Sequence, residues 1–229
     1  MLLKKRWSEM VMVIYMGNHI GCLEKPDHFY EVDISDHNPY IVEAIEIGGH
    51  GLFGKEDIEQ LKTHSSIIYL IGEGGTFDKV LNVMEVARAI LNAGGIAVNV
   101  ESSGRARTKK DWLEITNSKD ITRVFSAFTQ MLQEKDAFYI TGMHCFGLRD
   151  VITSSEGITS SEVATLFRVF CLYNLDEKTK INDGETFSLD PSSPIYLIEQ
   201  EKCTMFEEDD PYFNPYGVWN MIRHHHPKR

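Results

Sequence analysis

His144 and Cys145 place an imidazole beside a thiol, the pairing that turns a cysteine into a nucleophile. The apolar run Ala137–Leu148 around them predicts a strand, in which neighbouring side chains point to opposite faces, so these two cannot reach each other. A Cys145 nucleophile then needs another base, with His50 and His64 as candidates. The simpler expectation is a buried histidine beside an inert thiol. Gly72-Glu73-Gly74-Gly75 offers backbone N–H groups to a small anion or a nucleotide phosphate. Its fingerprint is incomplete, because Phe77 stands where a third glycine belongs and Glu73 repels phosphate. A tight turn leading into a helix cap accounts for the same residues.

Carboxylates gather at Asp33-x-x-Asp36-His37 and at Glu207–Asp210, where oxygen ligands could hold a divalent cation. Neither has the glycine-punctuated spacing of a calcium loop, so both read as solvated loop carboxylates, and we assign no metal and no cofactor. His224-His225-His226 lies outside any periodic segment and reads as a tail. Ser102–Lys110 concentrates Arg105, Arg107, Lys109 and Lys110 without an interleaved aromatic ring, unlike a single-strand binder, and reads as an exposed loop. The most suggestive surface is acidic and aromatic: Glu207, Glu208, Asp209 and Asp210, followed by Tyr212, Phe213, Tyr216 and Trp219. Tyr and Trp favour interfaces, and flanking carboxylates steer a basic partner.

The whole chain sets limits on these groups. With 229 residues and 42% apolar content it can bury one large core or two small ones. A net charge of −11 argues against general affinity for nucleic-acid phosphates or anionic lipid, and allows a basic protein partner. Cys22, Cys145, Cys171 and Cys203 are isolated from one another, a pattern of reduced thiols rather than a disulfide framework. Lys4, Lys5 and Arg6 precede an apolar run too short and too interrupted for a signal peptide, so a cytoplasmic location is expected. No run approaches the roughly 18 apolar residues of a membrane span.

Periodicity supplies the elements that must hold these groups. Strands are expected at Met10–Met16, Phe29–Ile34, Tyr40–Ile47, Ser65–Ile71 and Ile96–Val100, and a short helix at Lys55–Thr63 after a glycine-rich turn, Gly48–Gly54. The clearest helix is Phe77–Ala93, capped by Thr76 and stopped by Gly94-Gly95; it implies a right-handed parallel pairing of the strands on either side. A second amphipathic helix, capped by Ser118, is expected over Lys119–Gln133, with Met131 and Leu132 in its stripe. After the Ala137–Leu148 strand, placed mid-sheet, Arg149–Ile158 reads as a polar loop. Thr159-Ser160-Ser161-Glu162 is a capping box opening a helix with Val163, Leu166, Phe167 and Phe170 inward. Thr186–Leu189 and Ile195–Glu199 form a hairpin around a proline-containing loop. The class is α+β with a mixed sheet: two strand–helix–strand units packed as one domain over 1–229, with lobes of approximately 1–135 and 136–229.

Three short motifs in order resemble a bacterial family, the domain of unknown function DUF4261. They are Gly142-Met143-His144-Cys145-Phe146-Gly147-Leu148 followed by Asp150; Asp183-Gly184-x-Thr186-Phe187; and Asp209-Asp210-Pro211-x-x-Asn214-Pro215-Tyr216-Gly217. Arg149 stands where the family pattern leads us to expect proline. The resemblance implies no activity and transfers no catalytic residue.

The reading favoured by these features is a binding protein that uses the acidic–aromatic surface, with an immunity-type protein neutralising a basic effector as its specific version. An uncharacterised hydrolase-like enzyme with a His144/Cys145/carboxylate cleft is the rival, and a small-anion or nucleotide sensor at Gly72, Gly74 and Gly75 a third. Self-association stays open.

Overall fold

A computed structural model describes residues 10–17, 30–176 and 179–224. Lys4, Lys5, Arg6, Cys22, His225 and His226, and the expectations attached to them, lie outside the described residues. The chain divides into two compact units, the first ending at Phe128 and the second beginning at Thr129. Both are of the α+β class. Among the described residues no helix is long and apolar enough to cross a membrane.

The N-terminal unit is built on a five-stranded sheet of order β2-β3-β1-β4-β5. Its strands are β1 (Met10–Gly17), β2 (Tyr30–Asp36), β3 (Ser66–Glu73), β4 (Gly95–Val100) and β5 (Arg105–Thr108). β1 runs parallel to both β3 and β4, whereas β2 and β5 close the edges antiparallel. The expected parallel pair around the long helix therefore needs correcting: β3 and β4 are parallel, but β1 lies between them. A 16-residue crossover, α3 (Phe77–Asn92), has length to spare for passing one strand. Thr76 caps it, its hydroxyl accepting from the N–H of Lys79 (3.3 Å), and Val80, Val83, Met84, Ala87 and Leu91 are buried.

Further expectations fail in this unit, where a local pattern fits two structures. Tyr40–Ile47 is not a strand but most of α1 (Tyr40–Gly49). Its alternating Ile and Val residues also satisfy helical spacing, and the face that is buried holds Ile45, Gly48 and Gly49. Gly48 and Gly49 thus belong to the helix; the turn begins at His50, and Phe53 packs on the core of Ile45, Leu61, Ala97 and Ala106 while Leu52 stays exposed. The short helix is found where expected, as α2 (Lys55–Lys62), and buries Leu61. The basic stretch is not a loop: it forms β5 and opens α4 (Lys109–Ser118), with the Thr108 hydroxyl accepting from Asp111 N (3.2 Å). The amphipathic helix ends early, as α5 (Ile121–Phe128), and its N-terminus is capped by Asp120, whose Oδ1 accepts from Arg123 N (2.9 Å), rather than by Ser118. Trp112 of α4 is fully buried, donating to the Met84 carbonyl (3.3 Å) beside Phe128.

The C-terminal unit has a six-stranded sheet of order β6-β7-β8-β11-β10-β9. Its strands are β6 (Gln130–Glu134), β7 (Ala137–Thr141), β8 (Asp150–Ser154), β9 (Thr186–Phe187), β10 (Tyr196–Glu201) and β11 (Val218–Arg223). Met131 and Leu132 sit on β6, paired with β7, and not on a helix. β7 lies between β6 and β8, second from an edge rather than at the middle. It stops at Thr141, and Met143–Phe146 is a single 3₁₀ turn. The supposed polar loop Arg149–Ile158 contains β8, which pairs parallel with β11. α6 (Ser160–Leu175) starts at the predicted capping box: Thr159 Oγ1 accepts from Glu162 N (3.3 Å), and the Glu162 carboxylate accepts from Thr159 N (2.8 Å). Val163, Leu166, Phe167 and Phe170 face inward from it. β9 and β10 form the hairpin around Pro191 and Pro194.

Candidate functional site

The residues with most chemistry in the C-terminal unit meet where β7 leaves the sheet and β8 re-enters it. Gly142, at φ 97°, takes the left-handed conformation that turns the chain out of β7 into the 3₁₀ turn. The turn brings the N–H of Met143 to Oδ1 of Asp150 (2.9 Å). Tyr139 and Asp150 are diagonal neighbours on one face of the β7–β8 pair, and the Tyr139 hydroxyl donates to Oδ2 of Asp150 (3.1 Å). The side chain of Asn214 also hydrogen-bonds this carboxylate. Asp150 is fully buried, and loss of water pushes its carboxyl up to about 7 against these three donors. The same burial, with Asp150 and Cys203 beside it, drives the Tyr139 hydroxyl strongly upward. Cys203 Sγ stands 3.7 Å from that hydroxyl.

The acidic–aromatic loop is fastened to this centre. Asn214 donates to the Leu148 carbonyl (2.9 Å) and accepts from Tyr216 N (2.9 Å); the N–H of Asp150 donates to the Gly217 carbonyl (3.2 Å). Arg149 donates to the Tyr216 carbonyl and to Gln200 Oε1 (3.0 Å), its guanidinium lying 5.4 Å from the centre of the Trp219 ring. Within the loop, Asp210 accepts from Tyr212 N at Oδ1 (2.8 Å) and from Phe213 N at its carbonyl (2.9 Å). Phe206 packs edge-on between Tyr139 and Tyr212. Glu207, Glu208 and Asp209 are exposed, and Asp210, Tyr212 and Phe213 are half-buried. Tyr216 is 44% exposed. Trp219 is a correction to the expected surface: it is buried on β11, inside the sheet.

The candidate catalytic pair is also placed differently from expectation. His144 and Cys145 lie on the 3₁₀ turn, so strand alternation is not what separates them. Both are buried, Cys145 completely. His144 Nδ1 has no hydrogen-bond partner, and burial pulls the imidazole down to about 4. Cavities of about 250 and 300 Å³ in this unit are lined by Ile158, Tyr196 and Arg223 among others, and neither is lined by His144 or Cys145. Among the described residues no cluster of three His, Cys, Asp or Glu side chains could hold a metal ion.

Gly72, Gly74 and Gly75 belong to the N-terminal unit. Gly72 is the penultimate residue of β3, and a Cβ there would press on Val83 of α3, so the glycine serves strand–helix packing. Glu73 is ion-paired to Lys79 (2.7 Å) at the start of α3, which sets a carboxylate beside the turn. His64 donates from Nδ1 to Leu61 O (2.7 Å) and accepts at Nε2 from Asn38 N (3.1 Å), while a hydrogen bond joins His37 Nδ1 to His64 O (2.8 Å); these rings are structural.

Sequence reasoning missed Tyr139–Asp150–Cys203, because a charge at a strand start reads as loop. The one available signal was Asp150 closing the Gly142–Leu148 motif. No curated protein and no solved structure matches the chain. Residues 139–222 match the model of the family described as Domain of unknown function (DUF4261), the family that the Gly142–Leu148 and Asp209–Gly217 motifs resemble.

Proposed function

We propose that this chain is a binding protein whose contact surface is the loop from Glu207 to Tyr216, and that its partner is basic. The observation that carries the reading is the way the loop is fixed: Asn214, Arg149 and the Asp150 backbone pin its base while Glu207, Glu208 and Asp209 project into solvent. A pinned loop loses little conformational freedom on binding, and exposed carboxylates accelerate encounter with a cationic surface. An immunity-type role, blocking a basic effector, is the specific form of this proposal. The enzymatic reading draws no support from His144 and Cys145, which are buried and line neither of the two cavities above.

The test is the affinity and salt dependence of a purified cationic partner for the chain and for a Glu207→Gln, Glu208→Gln, Asp209→Asn variant. Asp210 is kept, since it holds Tyr212 N. A loss of about tenfold or more at low salt, converging at high salt, is expected. Equal affinity at both salt concentrations would remove the proposal.

A further inference from the structure

β2 offers a second surface, in the N-terminal unit and independent of the Glu207–Tyr216 loop. It is an outer strand: it pairs antiparallel with β3 from Tyr30 opposite Gly72 to Asp36 opposite Ser66, and no strand of the described residues flanks its other side. Val32 and Ile34 are 52% and 51% exposed, large values for aliphatic side chains in a sheet. Glu31 and Asp33 are exposed as well. Strand alternation separates the two kinds, with Tyr30, Val32 and Ile34 on one face and Glu31, Asp33 and Ser35 on the other. Backbone N–H and C=O groups alternate between the two edges of a strand, so every second residue of β2 turns them to the open side. Within the strand, Oδ1 of Asp33 accepts from the N–H of Ile34 (2.8 Å).

An open edge of this length is a template for one more strand, and its side chains say which. A second copy is disfavoured. In antiparallel self-pairing, residues of the same face meet, so Glu31 and Asp33 would oppose each other, Asp33 itself or Ser35, and like charges directly opposite destabilise a pair. We propose that β2 takes up an extended segment of a partner protein in which apolar side chains alternate with Lys or Arg. The apolar side chains would cover Val32 and Ile34. The basic ones would pair with Glu31 and Asp33.

The experiment titrates the full chain against a labelled seven-residue peptide of alternating lysine and valine, read by fluorescence anisotropy. Two further peptides share the design: one N-methylated at alternate backbone nitrogens, one with glutamate for lysine. Binding of the first, weakened about tenfold or more by N-methylation or by glutamate, is the expected result. The Glu31→Lys, Asp33→Lys variant should lose the lysine peptide and gain the glutamate one, an outcome that unfolding cannot mimic. The Glu207→Gln, Glu208→Gln, Asp209→Asn variant should bind like the parent, which separates this inference from the loop proposal. It is overturned if no peptide binds, if the N-methylated peptide binds as tightly, if the loop variant loses the binding, or if sedimentation shows that copies of the chain already pair through β2.

Discussion

The Tyr139 hydroxyl and the Asp150 carboxylate meet at 3.1 Å in the interior of the C-terminal unit, where each is at most 1% exposed. One carboxylate thereby joins strand β7, the 3₁₀ turn through Met143 N, and the Asn214 loop. Motif residues that look like chemistry in one dimension serve as folding contacts in three. A buried carboxylate so used has a cost, since its charged form is poorly solvated.

That cost sets a pH profile. Asp150 is raised from 3.8 to about 7, so its contribution to stability is complete below pH 4 and is lost as pH rises through 7. His144 is lowered from 6.5 to about 4, so its contribution is complete above pH 6.5 and is lost as pH falls through 4. Between those limits the two slopes oppose each other. Asp150→Asn should remove the falling contribution, on the order of 4 kcal/mol between pH 4 and 7 and largely masked in the parent by His144, because an amide can accept from Met143 N and donate to Tyr139 without ionising. The same variant should unmask a rise in stability from pH 4 to 6.5, and adding His144→Leu should flatten it. Urea midpoints across pH 4 to 8 decide the matter; parallel profiles for parent and Asp150→Asn would refute it.

Gly217 and Gly184 separate two reasons for a glycine. Both have positive φ, 85° and 80°. A Cβ added at Gly184 would meet nothing within 4 Å, so Gly184→Ala should cost only backbone strain, about 1 kcal/mol. A Cβ on Gly217 would overlap the Glu201 carbonyl oxygen and crowd Arg149, pushing apart the contacts that pin the acidic loop. Gly217→Ala should therefore cost at least about twice as much. Equal denaturation midpoints for the two variants would mean that the loop base yields freely.

What was legible in the chain was what is decided locally. The caps Thr76 and Thr159, the Gly94-Gly95 stop and the inward face of α6 are set by residues near in sequence, and all are found where the sequence puts them. The failures depend on partners distant in sequence. Ile41, Val42 and Ile45 suit a strand or a helix equally, and only packing of Gly48 against the Gly104–Ala106 backbone decides for the helix. Met131 and Leu132 extend a helical stripe, yet leave it because β7 supplies Ile140 and Tyr139 as cross-strand partners. Asp150 was invisible as a core residue because hydropathy assigns a carboxylate to water, whereas here three donors replace the water.

Thiol reactivity follows from burial. Cys145 and Cys171 are fully buried, and the Cys171 thiol is pushed up by burial and by the neighbouring Asp150 carboxylate; Cys203 is half-exposed. In a Cys22→Ser variant, maleimide at neutral pH should label Cys203 alone, with Cys145 and Cys171 joining after denaturation. Intact-mass analysis reads the count, and peptide mapping the position. Rapid labelling of Cys145 in the folded protein would revive the nucleophile that its burial argues against.

Arg107 tests whether the basic stretch is structural. It is 6% exposed, donates from Nη1 to Asp111 Oδ2 (3.0 Å), and binds the Ser126 carbonyl and hydroxyl through Nη2. Arg123 and Arg105 stand near the same carboxylate. Arg107→Ala strips the carboxylate of its buried partner and opens a hole between β5 and α5, so a loss of about 3 kcal/mol is expected. Arg107→Lys should recover little of it, because one ammonium cannot span Asp111 and Ser126 as a planar fork does. Asp111→Asn should cost less than either, since Ser126 continues to hold the guanidinium. The exposed Lys62–Glu59 pair provides the control: breaking it should change stability by no more than about 0.5 kcal/mol. If Arg107→Ala proves as mild as that control, the arginine is a solvated surface residue, and the strand it sits on owes nothing to it.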